Sequence, residues 1–182
     1  MSRLLALIVL LASCVPGALA QEDAAPAPDD SWEVLFDGKN LDLWEVPFPD
    51  FWAVEEGVIR ATLPEGATID EKKAQGNWTW IKTKKKYRHF HVSLEVKAVR
   101  GAFGLAQWGT MKQFLDASFL VSDRWHTVAM TWRGGDVRLY LDGQRLQFEG
   151  KAREGENVRE FFLLIQPDSE ACFRNIRAKE ID

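Results

Sequence analysis

The chain has 182 residues, of which 46% are hydrophobic and 27% charged, a composition that suits one globular domain and argues against general disorder. Its 27 acidic and 23 basic residues give a formal net charge of -4, which offers no general attraction for nucleic acid. Two cysteines, Cys14 and Cys172, are too few for a disulfide framework, so packing must hold the fold together.

The first twenty residues have the pattern of a secretory signal peptide. Arg3 provides the basic start, residues 4–11 form a short apolar run, and residues 18–20 (Ala-Leu-Ala) form a cleavage site. The run is too short for a permanent span, so we expect no transmembrane helix after cleavage. A second interpretation is a lipoprotein box at residues 11–14, in which Cys14 would carry a lipid anchor. Both interpretations predict export, to the periplasm or the cell exterior.

The remainder divides into a tether and one domain. Residues 21–31 are rich in Ala, Pro and acidic residues, which predicts an extended tether. Residues 32–182 then form the globular domain, and eight Trp beside eleven Phe suit a β-sheet protein.

Alternation with period two runs through this domain and predicts many short strands. Between residues 89 and 99, apolar and polar side chains alternate, which is the clearest strand pattern. Residues 137–141 alternate in the same way and precede Asp142-Gly143, which predicts a hairpin with residues 144–148. Further strands are predicted at residues 33–36, 52–54, 57–62, 78–82, 125–132, 160–166 and 171–181. Residues 111–120 fit a helix or a bent strand, and the basic run 82–88 predicts a solvated loop.

Short strands separated by turn signals favour an all-β, two-layer antiparallel sandwich, with a closed barrel as the alternative. In such a sandwich, Phe90, Val92, Leu94 and Val96 would be sealed between the layers. Cys172 is predicted to be a small core residue.

Several segments resemble one family in the same order along the chain. Residues 35–44 (LFDGKNLDLW) resemble the opening motif of the 3-keto-disaccharide hydrolase domain family, and residues 51–59 are similar to its next segment. Residues 82–97 resemble its central strand and residues 173–177 (FRNIR) its closing strand. The resemblance spans about Leu35 to Ile181. It implies a concanavalin A-like jelly roll that takes sugars on the concave face of one sheet.

A second resemblance supports the same fold. Residues 123–143 are similar to a hairpin of laminin-G and pentraxin-type domains, which share this jelly roll. Residues 101–105 depart from the hydrolase pattern, and the segment between Trp108 and Trp125 is short. These departures keep a second function open, a non-catalytic module that binds a glycan or a protein at the cell envelope.

The candidate catalytic residues lie on the polar side of strand 89–99. Glu95 and His91 are the predicted acid or base, while Lys97 and Ser93 would orient the sugar. Glu95 stands alone between apolar neighbours, which disfavours a retaining glucanase because that mechanism needs two carboxyl groups. A 3-keto sugar could need only one base, since the ketone acidifies the neighbouring carbon. The alternative is a solvated sheet face with no ligand.

Aromatic platforms for a sugar ring complete the prediction. Trp108, beside Gln107, is the preferred platform, and Trp80 is a second candidate that shares a face with Trp78. The alternative is that at least one of these indoles packs inside.

We expect no cofactor and no metal, because the chain has no glycine-rich phosphate loop, Cys-x-x-Cys or nucleophile elbow. His89 and His91 lack an evident third metal ligand, and Asp136 and Asp142 are the only plausible calcium donors in loops. The sequence therefore predicts an exported, hydrolase-like domain acting on 3-keto-glycosides, with carbohydrate as its partner.

Overall fold

The computed structural model describes residues 24–69, 78–107, 112–116, 120, 124–134, 136–147 and 158–182. These residues form strands and one 3-10 turn at Pro49–Phe51. In chain order the strands are β1 Glu33–Phe36, β2 Trp44–Glu45, β3 Trp52–Glu55, β4 Val58–Leu63, β5 Thr79–Tyr87, β6 Phe90–Arg100, β7 Ala102–Gln107, β8 Lys112–Asp116, β9 His126–Arg133, β10 Asp136–Leu141, β11 Gln144–Leu146, β12 Arg159–Ile165 and β13 Ser169–Glu180. The predicted signal peptide lies outside the described residues.

The strands pair into two antiparallel sheets. The eight-stranded sheet has the order β11-β10-β9-β6-β13-β4-β3, and β1 also pairs with β13. The five-stranded sheet has the order β2-β5-β12-β7-β8. The predicted all-β, two-layer antiparallel sandwich is therefore confirmed. Within the described residues, no helix is long and apolar enough to cross a membrane.

The core lies between the sheets, and β6 forms its centre on one side. The even-numbered residues of this strand from Phe90 to Val96 are at most 1% exposed, as its alternation predicts. Phe90 stacks on Trp132 of β9 and meets Phe161 of β12 edge-on, so both layers meet at one aromatic cluster. The odd-numbered side chains of β6 consequently point to the outer face of the eight-stranded sheet.

The outer face of the five-stranded sheet is apolar as well. Phe162 and Leu164 of β12 and Ala106 of β7 are each less than 5% exposed on this side. Trp80 of β5 lies beside them and meets Phe48 edge-on at 5.9 Å between ring centroids. Little of this described surface is available to water.

The basic run at residues 82–88 was predicted to be a loop, and that prediction is wrong because β5 continues to Tyr87. Lys82 and Lys86 oppose Phe162 and Glu160 of β12, so four steps along β5 match two on its neighbour. The two extra residues of β5 form a bulge, in which the Thr83 hydroxyl accepts a hydrogen bond from the Phe161 amide at 3.0 Å. The bulge allows consecutive lysines to point to solvent within a paired strand.

Several strand assignments need correction or completion. The strand β7 begins directly after Gly101, in a segment for which no strand was predicted. The strand β8 pairs with β7 and shows that residues 112–116, within the segment 111–120, form a strand. Cys172 was predicted to be a core residue, and this is wrong. Its neighbours Ala171 and Phe173 face the core, so Cys172 lies half-buried on the outer face, where burial raises the pKa of its thiol.

Gly101 provides a test of the sandwich geometry. Its φ is 69°, and an added Cβ would lie 2.5 Å from the Asp168 carbonyl oxygen and against the Ser169 side chain. Gly57 has a φ of 80° with nothing within 4 Å of such a Cβ. We expect Gly57→Ala to lower the free energy of unfolding by about 1–2 kcal/mol from backbone strain. Gly101→Ala adds a steric term of about 1–3 kcal/mol.

Urea unfolding followed by tryptophan fluorescence measures both changes. Equal losses in the two variants would contradict the close approach at Gly101.

Candidate functional site

The polar side of β6 places the predicted residues on the outer face of the eight-stranded sheet. Glu95 is opposite Thr127 of β9 and Arg174 of β13, while Lys97 is opposite Cys172. Each row of outward side chains across the sheet is therefore fixed by strand register.

Glu95 is held by two donors from β13. Its Oε2 accepts hydrogen bonds from Arg174 Nε at 2.5 Å and Asn175 Nδ2 at 3.0 Å. No described residue donates to Oε1, which leaves this oxygen available to a ligand. The carboxyl group is thus fixed in place while one of its oxygens keeps its lone pairs.

A bulge in β13 explains why consecutive residues reach the same carboxyl group. Arg174 and Arg177 oppose Glu95 and Ser93, so three steps along β13 match two along β6. Asn175 lies in this bulge and has a φ of 52°, a conformation that Asn tolerates better than most residues.

Trp125, in the segment that precedes β9, completes the arrangement. The Arg174 guanidinium carbon lies 4.0 Å from the centroid of this half-buried indole, and Lys97 Nζ lies 5.7 Å from it. Within the described chain, Lys97 forms no ion pair. We call these five residues the Glu95 cluster: Glu95, Lys97, Trp125, Arg174 and Asn175.

His91 does not join this cluster. It lies four residues from Glu95 along an extended strand, a distance of about 13 Å at about 3.3 Å per residue. Its ring stacks against Trp32 with 5.9 Å between centroids, and its Nδ1 is 2.8 Å from Thr131 Oγ1. Burial, reinforced by Lys179 and Arg133, lowers the pKa of His91, which favours the neutral imidazole. His91 and Glu95 therefore cannot act together on one glycosidic bond.

The other predicted residues lie in three different places. Ser93 is only 4% exposed, between the Glu95 cluster and His91. Trp80 lies on the opposite side of the sandwich and is 8% exposed, with its Nε1 buried without a hydrogen-bond partner among the described atoms. Gln107 ends β7 in the five-stranded sheet. Trp108 lies outside the described residues.

Three members of the Glu95 cluster were missed as site residues: Trp125, Arg174 and Asn175. Trp125 is half-buried on the outer face, whereas Trp132, seven residues further along, is buried at 3%. Arg174 and Asn175 lie in the FRNIR motif at residues 173–177. A paired cation and amide in the closing strand is the signal that could have identified them.

Within the described ranges, no three His, Cys, Asp or Glu side chains are close enough together to hold a metal ion. The chemistry available to the described cluster is that of one carboxylate, two cations and an indole.

Comparison with known proteins gives the family resemblance. The profile of the 3-keto-α-glucoside-1,2-lyase-like domain matches residues 31–117. This match confirms the predicted resemblance to the 3-keto-disaccharide hydrolase family. No match is found among curated proteins.

Solved structures give the fold. A candidate glycosyl hydrolase from Parabacteroides distasonis is 15% identical, with a TM-score of 0.62 over 87% of this chain and 100% of that one. Bacillus licheniformis β-glucanase is 10% identical, with a TM-score of 0.56 over 82% and 97%. Carbohydrate-binding module CBM66 from Bacillus subtilis is 12% identical, with a TM-score of 0.51 over 82% and 96%. At these identities the likeness shows the jelly-roll fold alone.

The environment of His91 predicts how the stability of the fold depends on pH. Because burial and two nearby cations lower its pKa below 6.5, the folded protein binds this proton less readily than the unfolded chain does. The stability contributed by the neutral ring is complete above pH 6.5 and declines as pH falls below it.

An NMR titration of the imidazole resonances, assigned with a His91→Gln variant, measures the midpoint directly. We expect a value below 6.5, and a midpoint at or above 6.5 would contradict the packed arrangement with Trp32.

Proposed function

We propose that this protein is an exported carbohydrate-active domain that cleaves the glycosidic bond of 3-keto-glycosides at the Glu95 cluster. One observation carries the proposal: a carboxylate with an available oxygen lies on one face with two cations beside a single indole. The family match over residues 31–117 supports the same substrate class.

A ketone at C3 changes how the bond at C1 can be broken. The proton on C2 becomes acidic because the enolate that forms places its negative charge on the C3 oxygen. A base removes this proton, the C1–C2 double bond forms, and the C1–O bond to the leaving group breaks. The leaving oxygen takes up a proton, so the products are an enone and an alcohol, and the enzyme is unchanged.

Each part of the cluster has a role in this elimination. Glu95 Oε1 would accept the C2 proton, because Oε2 is occupied by Arg174 and Asn175. Lys97 would stabilise the enolate oxygen, since it is a cation with no ion-pair partner among the described residues. Trp125 would position both cations, because Arg174 and Lys97 lie 4.0 Å and 5.7 Å from the centroid of its ring.

Direct hydrolysis by a pair of carboxyl groups is less consistent with this site. That mechanism needs two carboxyl groups about 5–10 Å apart on either side of the bond. The residues directly opposite Glu95 are Thr127 and Arg174, and neither is acidic. The carboxyl group next along this row is that of Asp142 beyond Thr127, and it is already bonded to His126 Nδ1 and to the Thr127 amide. A single-base elimination therefore fits the described site better.

A non-catalytic glycan-binding domain is the second candidate. Arg174 lies 4.0 Å from the centroid of the Trp125 ring, where a sugar would otherwise stack, and the salt bridge already occupies Glu95 Oε2. A ligand held by hydrogen bonds alone would suit this arrangement. Export is the same in both cases and rests on the signal pattern at residues 1–20.

The enzymatic proposal predicts the effect of neutralising Glu95. We expect Glu95→Gln to reduce turnover of a 3-keto-glucoside about 10²–10⁴-fold, because the amide cannot accept the C2 proton. Lys97→Met should lower kcat more than it changes KM, since it removes charge that stabilises the enolate. Turnover is measured by the ultraviolet absorbance of the enone product.

Glu55→Gln is the matched control. Glu55 lies on β3 of the same sheet and pairs with Arg60 rather than with the cluster. Full activity in Glu95→Gln would show that another group is the base. A folded wild-type protein that binds glycans but turns over no 3-keto-glycoside would favour the binding domain.

A further inference from the structure

A cavity of about 640 Å³ lies on the same sheet face as the Glu95 cluster but outside it. Its side-chain lining comes from three strands, with His91 on β6, Thr131 and Arg133 on β9, and Asp136, Arg138 and Tyr140 on β10. The remaining lining comes from both ends of the described chain, residues 24–26 and 181–182. We call this cavity the His91 groove.

Hydrogen bonds fix the polar lining in place. Arg138 Nε donates to Asp136 Oδ2 at 2.8 Å, and Arg133 Nη2 donates to the Asp182 carbonyl oxygen at 2.6 Å. His91 and Thr131 share the bond described above. The groove therefore presents donors and acceptors on ordered side chains rather than on freely rotating ones.

The charges of the groove balance. Two arginines and two aspartates line the groove. Arg138 pairs with the Asp136 carboxyl group, and Arg133 donates to the Asp182 main-chain oxygen. The lowered pKa of His91 favours its neutral form. A site with balanced charge gains little from an anionic ligand. Alternating donors and acceptors instead match the hydroxyl groups of a neutral polyol.

Size and position agree with this chemistry. The volume falls within the range of about 300–1,000 Å³ typical of small-molecule sites. The buried row of Ala129 and Ser93, at 2% and 4% exposure, separates the groove from the Glu95 cluster. Because the wall at residues 24–26 belongs to the predicted tether, the groove lies where the domain meets its N-terminal segment.

We propose that the His91 groove is a second carbohydrate site that binds a neutral sugar of one or two rings. It is separate from the Glu95 cluster and needs no catalysis there. It would retain a glycan on the outer face while the cluster acts on another part of the chain.

Calorimetric titration with sucrose, maltose and trehalose tests the site, with glucuronate as the anionic comparison. We expect saturable binding of at least one neutral sugar and weaker binding of glucuronate. Arg138→Gln should raise the dissociation constant about tenfold or more, because it removes a charged hydrogen-bond donor from the groove. Asp136→Asn is a second variant, which keeps the side-chain size if Arg138→Gln unfolds.

Arg60→Gln is the matched control, because Arg60 is an ion-paired arginine on β4 of the same sheet, away from the groove. Equal weakening by Arg138→Gln and Arg60→Gln would overturn the site. So would the absence of binding by wild-type protein at about 10 mM sugar, roughly ten times the millimolar Kd of a weak site.

Two crossed measurements separate this proposal from the enzymatic one. Glu95→Gln should leave groove binding unchanged, and Arg138→Gln should leave turnover of a small 3-keto-glucoside unchanged. Loss of sugar binding in Glu95→Gln would place the ligand at the Glu95 cluster and contradict a separate groove site.

Discussion

The burial of one side of β6 is the constraint on which the rest of the structure depends. Side chains alternate strictly along a strand, so sealing Phe90 to Val96 against the five-stranded sheet forces His91 to Lys97 outward. A shift of one residue would exchange the two sets and place charges in the core. The aromatic cluster of Phe90, Trp132 and Phe161 opposes such a shift, because the shift would turn the Phe90 ring out of the core and away from both partners.

This constraint explains how much the sequence could predict. Alternation predicted β6, β10 and the Asp142-Gly143 hairpin, because one side of each strand faces the core and the other side faces outward. It failed on β7, where the outward residue Ala106 is buried too and period two gives no signal. The strand β12, which is equally covered on both sides, was predicted as residues 160–166. In β5 alternation predicted only the first part, residues 78–82, because a bulge places lysines side by side in the rest of the strand, which then has the composition of a charged loop.

The candidate site was predictable in part for a related reason. Glu95 and Lys97 follow from the alternation of a single strand. Their partners depend on the pairing of β6 with β13, which brings together residues that are far apart in the sequence. Glu95 and Arg174, for example, are 79 positions apart. The β13 bulge at Asn175 is equally invisible to a periodic pattern, since it consists of one extra residue. The same strand geometry separates His91 from Glu95, although alternation alone places them on one face.

The two outer faces of the sandwich differ in what they can recognise. The described surface around Trp80 is already packed with apolar side chains, and its buried indole nitrogen lacks a partner among the described atoms, at a cost of about 1–3 kcal/mol. The face around β6 instead carries polar groups that bond to one another in part, as Arg174 and Asn175 bond to Glu95 Oε2 while Oε1 remains available. A polyhydroxylated ligand can exchange hydrogen bonds with such groups at little cost, whereas an apolar, covered surface would first have to open. For this reason both proposed carbohydrate sites lie on the eight-stranded sheet rather than on the five-stranded one.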